Sequence, residues 1–254
     1  MKHALQKAFM ATPAPVRHLL APLVNIYAQR SQINRMKLAV RHAAAMAIHQ
    51  RDPARPFVFV DCGFNNGLVL DHFIQSLPKD ADFYGFEVQE DLKPQAAALA
   101  AKYPARTIRL EFAAVSDNVG TMEYFPSRDV PWGMFPHIAT TTELGREAGA
   151  HMDYSKPRVI GSIDFSAWLK DLSESYVAKT GMQPFIAVKM NIEGAEYPVL
   201  EKTLNDGHFP LIGALFAEFH NAQFSGPNRE IFDRSHTRIM QAIETSAKPY
   251  MPWA

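Results

Sequence analysis

The chain has 254 residues, 47% of them apolar, which is enough for one domain with a sizeable core. Lys plus Arg and Asp plus Glu both total 26, so the net charge of zero gives no case for nucleic-acid binding. The single cysteine, Cys62, excludes an internal disulfide and a cysteine-rich zinc site. No run approaches the roughly 20 apolar residues of a membrane span. We therefore expect a cytoplasmic protein.

The N-terminal fifth of the chain is basic. Residues 1–51 contain eight Lys or Arg and no Asp or Glu. The best helical pattern covers residues 31–49, where apolar residues recur at three- and four-residue steps. We predict that residues 1–55 form a basic helical extension that packs on the main domain. Contact with a membrane surface, or with a partner or a second copy of the chain, stays open as an alternative.

After residue 56 the pattern changes to short apolar segments that alternate with helical ones. The predicted strands are residues 57–60, 82–86, 107–115, 121–125, 185–191 and 211–219. The predicted helices are residues 68–77, 91–102, 162–172, 195–204 and 228–245. Such alternation predicts an α/β domain over residues 56–254, with a mostly parallel, Rossmann-like sheet and helices on both faces. Ligands of such sheets bind at the carboxyl ends of the strands.

Residues 126–160 interrupt this alternation with a long segment rich in Pro, Gly and Thr. Loops of this length inside a compact domain are usually lids or binding loops. We predict a substrate lid in which Trp132 and His137 contact the acceptor. The alternative is a loop without a specific role.

A glycine turn follows the first predicted strand of the domain, over Gly63-Phe-Asn65-Asn-Gly67. Glycine permits positive φ and close approach of a ligand, and the following helix directs its N-terminal N–H groups at an anion. Asp61, at the end of the strand, suits an ammonium group. An ordinary strand-to-helix turn would show the same glycines.

The second predicted strand ends at Glu87, about 20 residues beyond the glycine turn. At this spacing an acid accepts hydrogen bonds from the two ribose hydroxyls in nucleoside-binding βαβ units. The alternative is a solvated acid. Together the turn and Glu87 indicate a nucleoside-containing cofactor. The spacing Gly-x-Asn-x-Gly differs from the Gly-x-Gly-x-x-Gly of dinucleotide-dependent dehydrogenases, which leaves that class a minor alternative.

Four blocks of residues resemble the FkbM family of S-adenosylmethionine (SAM)-dependent methyltransferases. They are Val60-Asp-Cys-Gly-Phe-Asn-Asn-Gly67, Gly85-Phe-Glu87, Ala113-Ala-Val-Ser-Asp-Asn-Val-Gly120 and Val188-Lys-Met-Asn-Ile-Glu-Gly-Ala-Glu196. Ser162-Ile-Asp164 resembles a further segment of the family. The resemblance covers about residues 57–220 and implies a class I methyltransferase fold with SAM as cofactor and S-adenosylhomocysteine (SAH) as product.

The resemblance also implies roles for single residues on the cofactor side. The loop around Asn65 would hold the methionyl end of SAM through Asp61, Gly63 and Gly67, and Glu87 would hold the ribose. The residues near the adenine would be Ser116 and Asp117. In two respects the chain departs from the family. Asn191 stands where the family has an aspartate, and the residues after the last predicted helix are too few for the usual antiparallel strand pair.

On the acceptor side, the block from Lys189 to Glu196 would face the donor methyl group. His220 follows a predicted strand at the same edge and is our leading general base, with Glu218 on the same side of the strand to orient it. A structural His220 stays an alternative. Glu193 is the second candidate base.

Three further side chains are candidates at the acceptor end. Lys189 and Asn191 are candidates for positioning substrate, and Lys189 could equally form a buried structural pair. For Asp164 we favour a role as the acid at a helix N-terminus, and contact with the substrate is the alternative. The histidine and carboxylates show no local metal spacing, so we assign no metal ligands. A divalent ion held by Glu193, Glu218, His220 and Asp164 stays the less favoured alternative.

These residues predict methylation of a hydroxyl group on a sugar, glycan or other small metabolite. The open alternatives are nitrogen or carboxylate acceptors, and a SAM-binding or partner-binding protein with degraded catalysis. Asn191 motivates both, because an amide cannot act as a base.

Overall fold

The computed structural model describes residues 33–126, 139–140, 153–221, 224 and 226–253. Its helices are residues 33–50 (α1), Leu68–Ser76 (α2), Lys93–Lys102 (α3), Phe165–Thr180 (α4), Glu196–Asn205 (α5) and Gly226–Thr245 (α6). Its strands are Phe57–Cys62 (β1), Asp82–Glu87 (β2), Ile108–Phe112 (β3), Ala114–Ser116 (β4), Gly120–Pro126 (β5), Ala139–Thr140 (β6), Arg158–Asp164 (β7), Phe185–Met190 (β8), Ile212–Ala217 (β9) and Tyr250–Pro252 (β10). Single turns of 3₁₀ helix cover Glu90–Leu92 and Phe209–Leu211.

Six strands form one parallel sheet in the order β10-β9-β8-β1-β2-β3. The predicted α/β, Rossmann-like fold is therefore confirmed. Every residue of β1 and β8 is buried, which explains why these central strands begin with four consecutive apolar residues rather than alternating. Strand order reverses between β1 and β8, and a crevice at the carboxyl ends of the strands is expected at such a point.

A second sheet, in the order β4-β7-β5-β6, corrects two predictions. The strand predicted over residues 107–115 is two strands, because the chain leaves the first sheet at Ala113 and β4 pairs with β7. The helix predicted from residue 162 begins at Phe165, because residues 158–162 pair antiparallel with β5. Asp164 caps α4, where its Oδ1 accepts a hydrogen bond from Ala167 N at 3.1 Å.

The helix α1 packs on the sheet by its apolar face. Val40, Ala43 and Ala47 are fully buried in a cluster that contains Phe57 and Phe73. The apolar pattern ends before Ile48, which is 42% exposed. Residues 1–32 lie outside the described part of the chain, so membrane or partner contact of the extension stays an open alternative. No helix within the described ranges is long and apolar enough to cross a bilayer.

The residues after the last helix add one parallel strand, β10, to the sheet. β10 pairs parallel with β9, and Trp253 N donates a hydrogen bond to Ala217 O at 2.9 Å. Trp253 is buried against Phe73, with ring centroids 5.6 Å apart. The segment that contains β10 therefore adds an aromatic ring beside the carboxyl ends of the strands.

Candidate functional site

A cavity of about 490 Å³ opens at the carboxyl ends of β1, β2, β8 and β9. It lies where the strand order reverses, the place at which ligands of open α/β sheets bind. The polar and charged residues that line it include Asn65, Glu87, Lys189, Asn191, Glu193 and Glu218. Each follows or ends a strand of the parallel sheet, so residues distant in the chain meet at one edge.

The loop after β1 forms one wall of the cavity, and Gly63 is its tightest point. Gly63 has φ +83°, and a Cβ built on it would lie 2.2 Å from the main-chain oxygen of Asn191. The N–H groups of Gly63 and Phe64 both donate to Phe86 O, at 2.9 and 3.2 Å. The loop is thus clamped between β2 and the residue after β8, and only glycine fits at Gly63.

Two other residues of the loop have left-handed backbones. Asn65 (φ +52°) lines the cavity, and its Oδ1 accepts a hydrogen bond from Asn66 N. Gly67 (φ +78°) does not line the cavity. A Cβ on Gly67 would lie 2.9 Å from Leu99 Cδ2, so this glycine permits close packing of the loop on α3.

The Glu87 carboxylate is held at the cavity wall by main-chain donors. Its Oε2 accepts from Asn65 N at 2.8 Å, and its Oε1 accepts from Val88 N at 2.9 Å and Gln89 N at 3.0 Å. Burial raises the pKa of this carboxyl, while the N–H groups counteract the rise. Glu87 lines the cavity, and its contact with a cofactor stays a prediction.

Asp61 points away from the cavity and into a buried ion pair. Lys189 Nζ lies 2.9 Å from Asp61 Oδ1, and donates a hydrogen bond to Gly63 O at 2.7 Å. Asp61 is fully buried and does not line the cavity, whereas Lys189 does. The structure therefore differs from the expectation that Asp61 itself accepts from a ligand ammonium. Asp61 fixes Lys189, and Lys189 fixes the glycine loop.

The opposite end of the cavity is acidic. The Glu193 and Glu218 carboxylates line it, with side chains 25% and 34% exposed. Asn191 Nδ2 donates to Glu218 Oε2 at 2.7 Å. Burial raises the pKa of both carboxyls, and the nearby His220 charge lowers them in part. Glu193 has φ +55°, a strained backbone of the kind that accumulates at functional sites.

His220 lies behind this acidic end, and its partner differs from the predicted one. Its Nδ1 lies 2.7 Å from Oε1 of the fully buried Glu196, which also accepts from His220 N. Its Nε2 lies 3.6 Å from Glu193 and 3.8 Å from Glu218. Burial lowers the pKa of His220, but the three carboxylates outweigh that effect and raise it to about 9.

Some predicted site residues lie away from the cavity. Ser116 is buried and donates to Asp117, and the cavity wall is formed instead by Ala113 and Val115. Asp164 caps its helix and does not line the cavity. Trp132 and His137 lie outside the described residues, so their contact with an acceptor stays a prediction.

Other lining residues carry no local sequence signal for a site. Arg35, Met36 and Ala39 reach the cavity from α1, and Trp253 reaches it from the C-terminus. Their roles depend on how distant segments pack, which no local spacing encodes. Glu196, which holds His220 without lining the cavity, closes the block Lys189–Glu196 that the sequence had marked. No group of three or more His, Cys, Asp or Glu in the described residues is arranged to hold a metal ion.

No protein-family model and no curated protein matches the chain. Among solved structures, the plantazolicin methyltransferase BpumL in complex with SAH aligns at 10% identity and a TM-score of 0.33, over 96% of this chain and 72% of that chain. The same enzyme with a triazolic desmethylPZN analog and SAH gives 0.34 at the same identity and coverage. YjhP from E. coli gives 0.22 at 10% identity, over 81% of this chain and 86% of that chain. These likenesses are too remote to indicate a function for this chain.

Proposed function

We propose that the protein is a SAM-dependent methyltransferase that methylates a hydroxyl group of a sugar, glycan or other small metabolite in the cytoplasm. The observation that carries the proposal is one cavity with two chemically different ends. One end has a glycine loop and the hydrogen-bonded acid Glu87, which follows the loop at the distance along the chain typical of nucleoside-binding βαβ units. The other end has the carboxylates of Glu193 and Glu218. The resemblance of four sequence blocks to the FkbM family supports it. The fold alone would not support the proposal, because proteins with this type of sheet have many different activities.

The residues present fit SAM as a ligand. The volume of about 490 Å³ falls within the range of small-molecule sites. Within the described residues Glu87 Oε2 accepts one hydrogen bond, from Asn65 N, and a second lone pair of this oxygen suits a ribose hydroxyl. Phe64, Phe86 and Val88 add apolar wall beside it, which suits a purine ring. When bound, SAM supplies an electrophilic methyl group on a sulfonium.

In this proposal Glu193 takes the proton of the acceptor hydroxyl. Its carboxylate lines the cavity, and its burial-raised pKa makes it a stronger base than a solvated carboxylate. His220 suits this role less well, because a pKa of about 9 leaves the imidazole protonated near neutral pH. We propose instead that the His220 cation, anchored on Glu196, holds Glu193 and Glu218 in position.

The ribose assignment predicts that Glu87→Gln weakens SAH binding at least about tenfold, the cost of one hydrogen bond to a charged group. The measurement is calorimetric titration of SAH. Glu90→Gln is the matched control, because Glu90 is an exposed acid of the following turn that pairs with Lys93. Equal affinity in Glu87→Gln and the parent chain would refute the assignment. Absence of SAM and SAH binding in the folded parent would refute the whole proposal.

The proton assignments predict a bell-shaped pH profile of turnover. Activity should rise with pH as Glu193 loses its proton, above the usual range of a glutamate because its pKa is raised. It should fall again through about pH 9 as His220 loses its charge. The variant His220→Gln should remove the alkaline limb and reduce turnover more than SAM affinity. If that limb persists in the variant, His220 does not cause it.

A further inference from the structure

We propose that Arg35, on the N-terminal helix α1, binds the carboxylate of the methionyl group of SAM, so that this helix forms part of the cofactor site. The inference rests on the proposed function and deepens it, because it names the residue that holds the negatively charged end of the cofactor. It comes from the position of α1 beside the glycine loop and from the charges around the cavity.

The first turns of α1 lie at the same edge of the sheet as the glycine loop. Arg51, just beyond the other end of this helix, lies over the ring of Phe57 at the start of β1. The helix therefore runs antiparallel to β1, and its first turns reach the carboxyl ends of the strands. Three residues of these turns line the cavity, namely Arg35, Met36 and Ala39.

Arg35 approaches the cavity beside the first turn of α2, the helix that follows the glycine loop. Ala39, one turn further along α1, and Val69, in the first turn of α2, pack against the same apolar cluster and both line the cavity. Burial lowers the pKa of His72 on α2, and the nearby charge of Lys37 on α1 lowers it further. The two helices thus lie side by side, and Arg35 belongs to the end of the cavity that the glycine loop forms.

Arg35 is the cation that this end of the cavity has available for a ligand. Lys189, the other basic residue of the described wall, is paired with Asp61 and donates to Gly63 O. The Arg35 guanidinium has no hydrogen-bond or ion-pair partner within the described ranges of the chain. The other charged residues of the described wall are acids, namely Glu87, Glu193 and Glu218.

The methionyl carboxylate is the group of SAM that needs this cation. The acids of the wall repel a carboxylate, whereas the planar fork of a guanidinium donates two parallel hydrogen bonds to it. Asp61 and Gly67, which were expected at the methionyl end, do not line the cavity, so the loop leaves this contact to another segment. Val40 and Ala43 are fully buried and fix α1, which keeps Arg35 at the cavity wall before the ligand binds.

The test is calorimetric titration of the full-length protein with SAH and with its decarboxylated analogue, in which a hydrogen atom replaces the carboxylate. Arg35→Gln should weaken SAH binding at least about tenfold, the cost of a hydrogen bond between charged groups. The analogue should bind the parent and Arg35→Gln with affinities within about twofold of each other, because the contact is already absent. Arg35→Lys keeps the charge without the fork and should give an intermediate SAH affinity.

Arg41→Gln is the matched control, because Arg41 is an exposed arginine of the same helix that does not line the cavity. It should change neither affinity. Equal weakening of SAH and of the analogue in Arg35→Gln would mean that Arg35 does not act on the carboxylate, and that result overturns the inference. Unchanged SAH affinity in Arg35→Gln also overturns it and leaves the proposed function standing. Absence of SAH binding in the folded parent would instead refute the proposed function and the inference with it.

Discussion

Replacing Gly63 with Ala should both destabilise the protein and abolish tight SAH binding. The new Cβ would lie 2.2 Å from the Asn191 carbonyl oxygen, a main-chain atom held by Asn191 N donating to Cys62 O at 3.0 Å. The left-handed backbone and the overpacking together cost roughly 2 to 6 kcal/mol. Relief requires the loop and the residue after β8 to separate, which moves both walls of the cavity. The measurements are urea unfolding and SAH titration.

Gly181 supplies the matched control for that substitution. It also has a left-handed backbone, with φ +73°, but no atom lies within 4 Å of a Cβ built on it. Gly181→Ala therefore carries the backbone cost alone, about 1 to 2 kcal/mol, and should leave SAH affinity unchanged. Equal stability losses in the two variants would show that the close approach of Gly63 to Asn191 contributes nothing to the destabilisation of Gly63→Ala.

The parallel sheet was predictable because its central strands are buried on both faces. The four consecutive apolar residues that begin Phe57–Cys62 and Phe185–Met190 show this burial directly in the sequence. The two chemical ends of the cavity were predictable as well, since carboxyl ends of parallel strands meet at one edge. The residues that form the cavity walls were not all predictable, because α1 and Trp253 reach the cavity only through packing of distant segments.

The partner of His220 shows where local reasoning fails. The two-residue spacing predicts that Glu218 and His220 share one side of a strand. β9 ends at Ala217, however, so this alternation does not extend to His220. The chain turns there, and the imidazole faces Glu196 on the first turn of α5. The identity of a buried ion pair is thus set by where a strand ends, a boundary that sequence patterns locate poorly.

Removing the Lys189 charge should give the second large effect, with a distinctive pH dependence. Lys189→Met leaves Asp61 fully buried without its cation, which typically costs about 3 to 5 kcal/mol near neutral pH. Burial already raises the pKa of Asp61 despite the lysine, and losing the lysine raises it further. A carboxyl whose pKa is higher in the folded state holds more protons there, so stability falls as pH rises. The deficit of Lys189→Met should therefore shrink as pH is lowered from 8 towards 5, in urea unfolding at each pH.

Two companion variants separate the buried pair from charge in general. Lys102→Met removes a lysine that lies 2.8 Å from Asp71 and whose side chain is 54% exposed. We therefore expect little loss of stability, and no dependence of that loss on pH. The double variant Asp61→Asn with Lys189→Met removes the uncompensated charge and should recover part of the stability. It should not recover SAH binding, because Lys189 also donates to Gly63 O and so holds the glycine loop. Recovery of both properties would make the pair purely structural, and a pH-independent deficit in Lys189→Met would contradict a buried, charged Asp61.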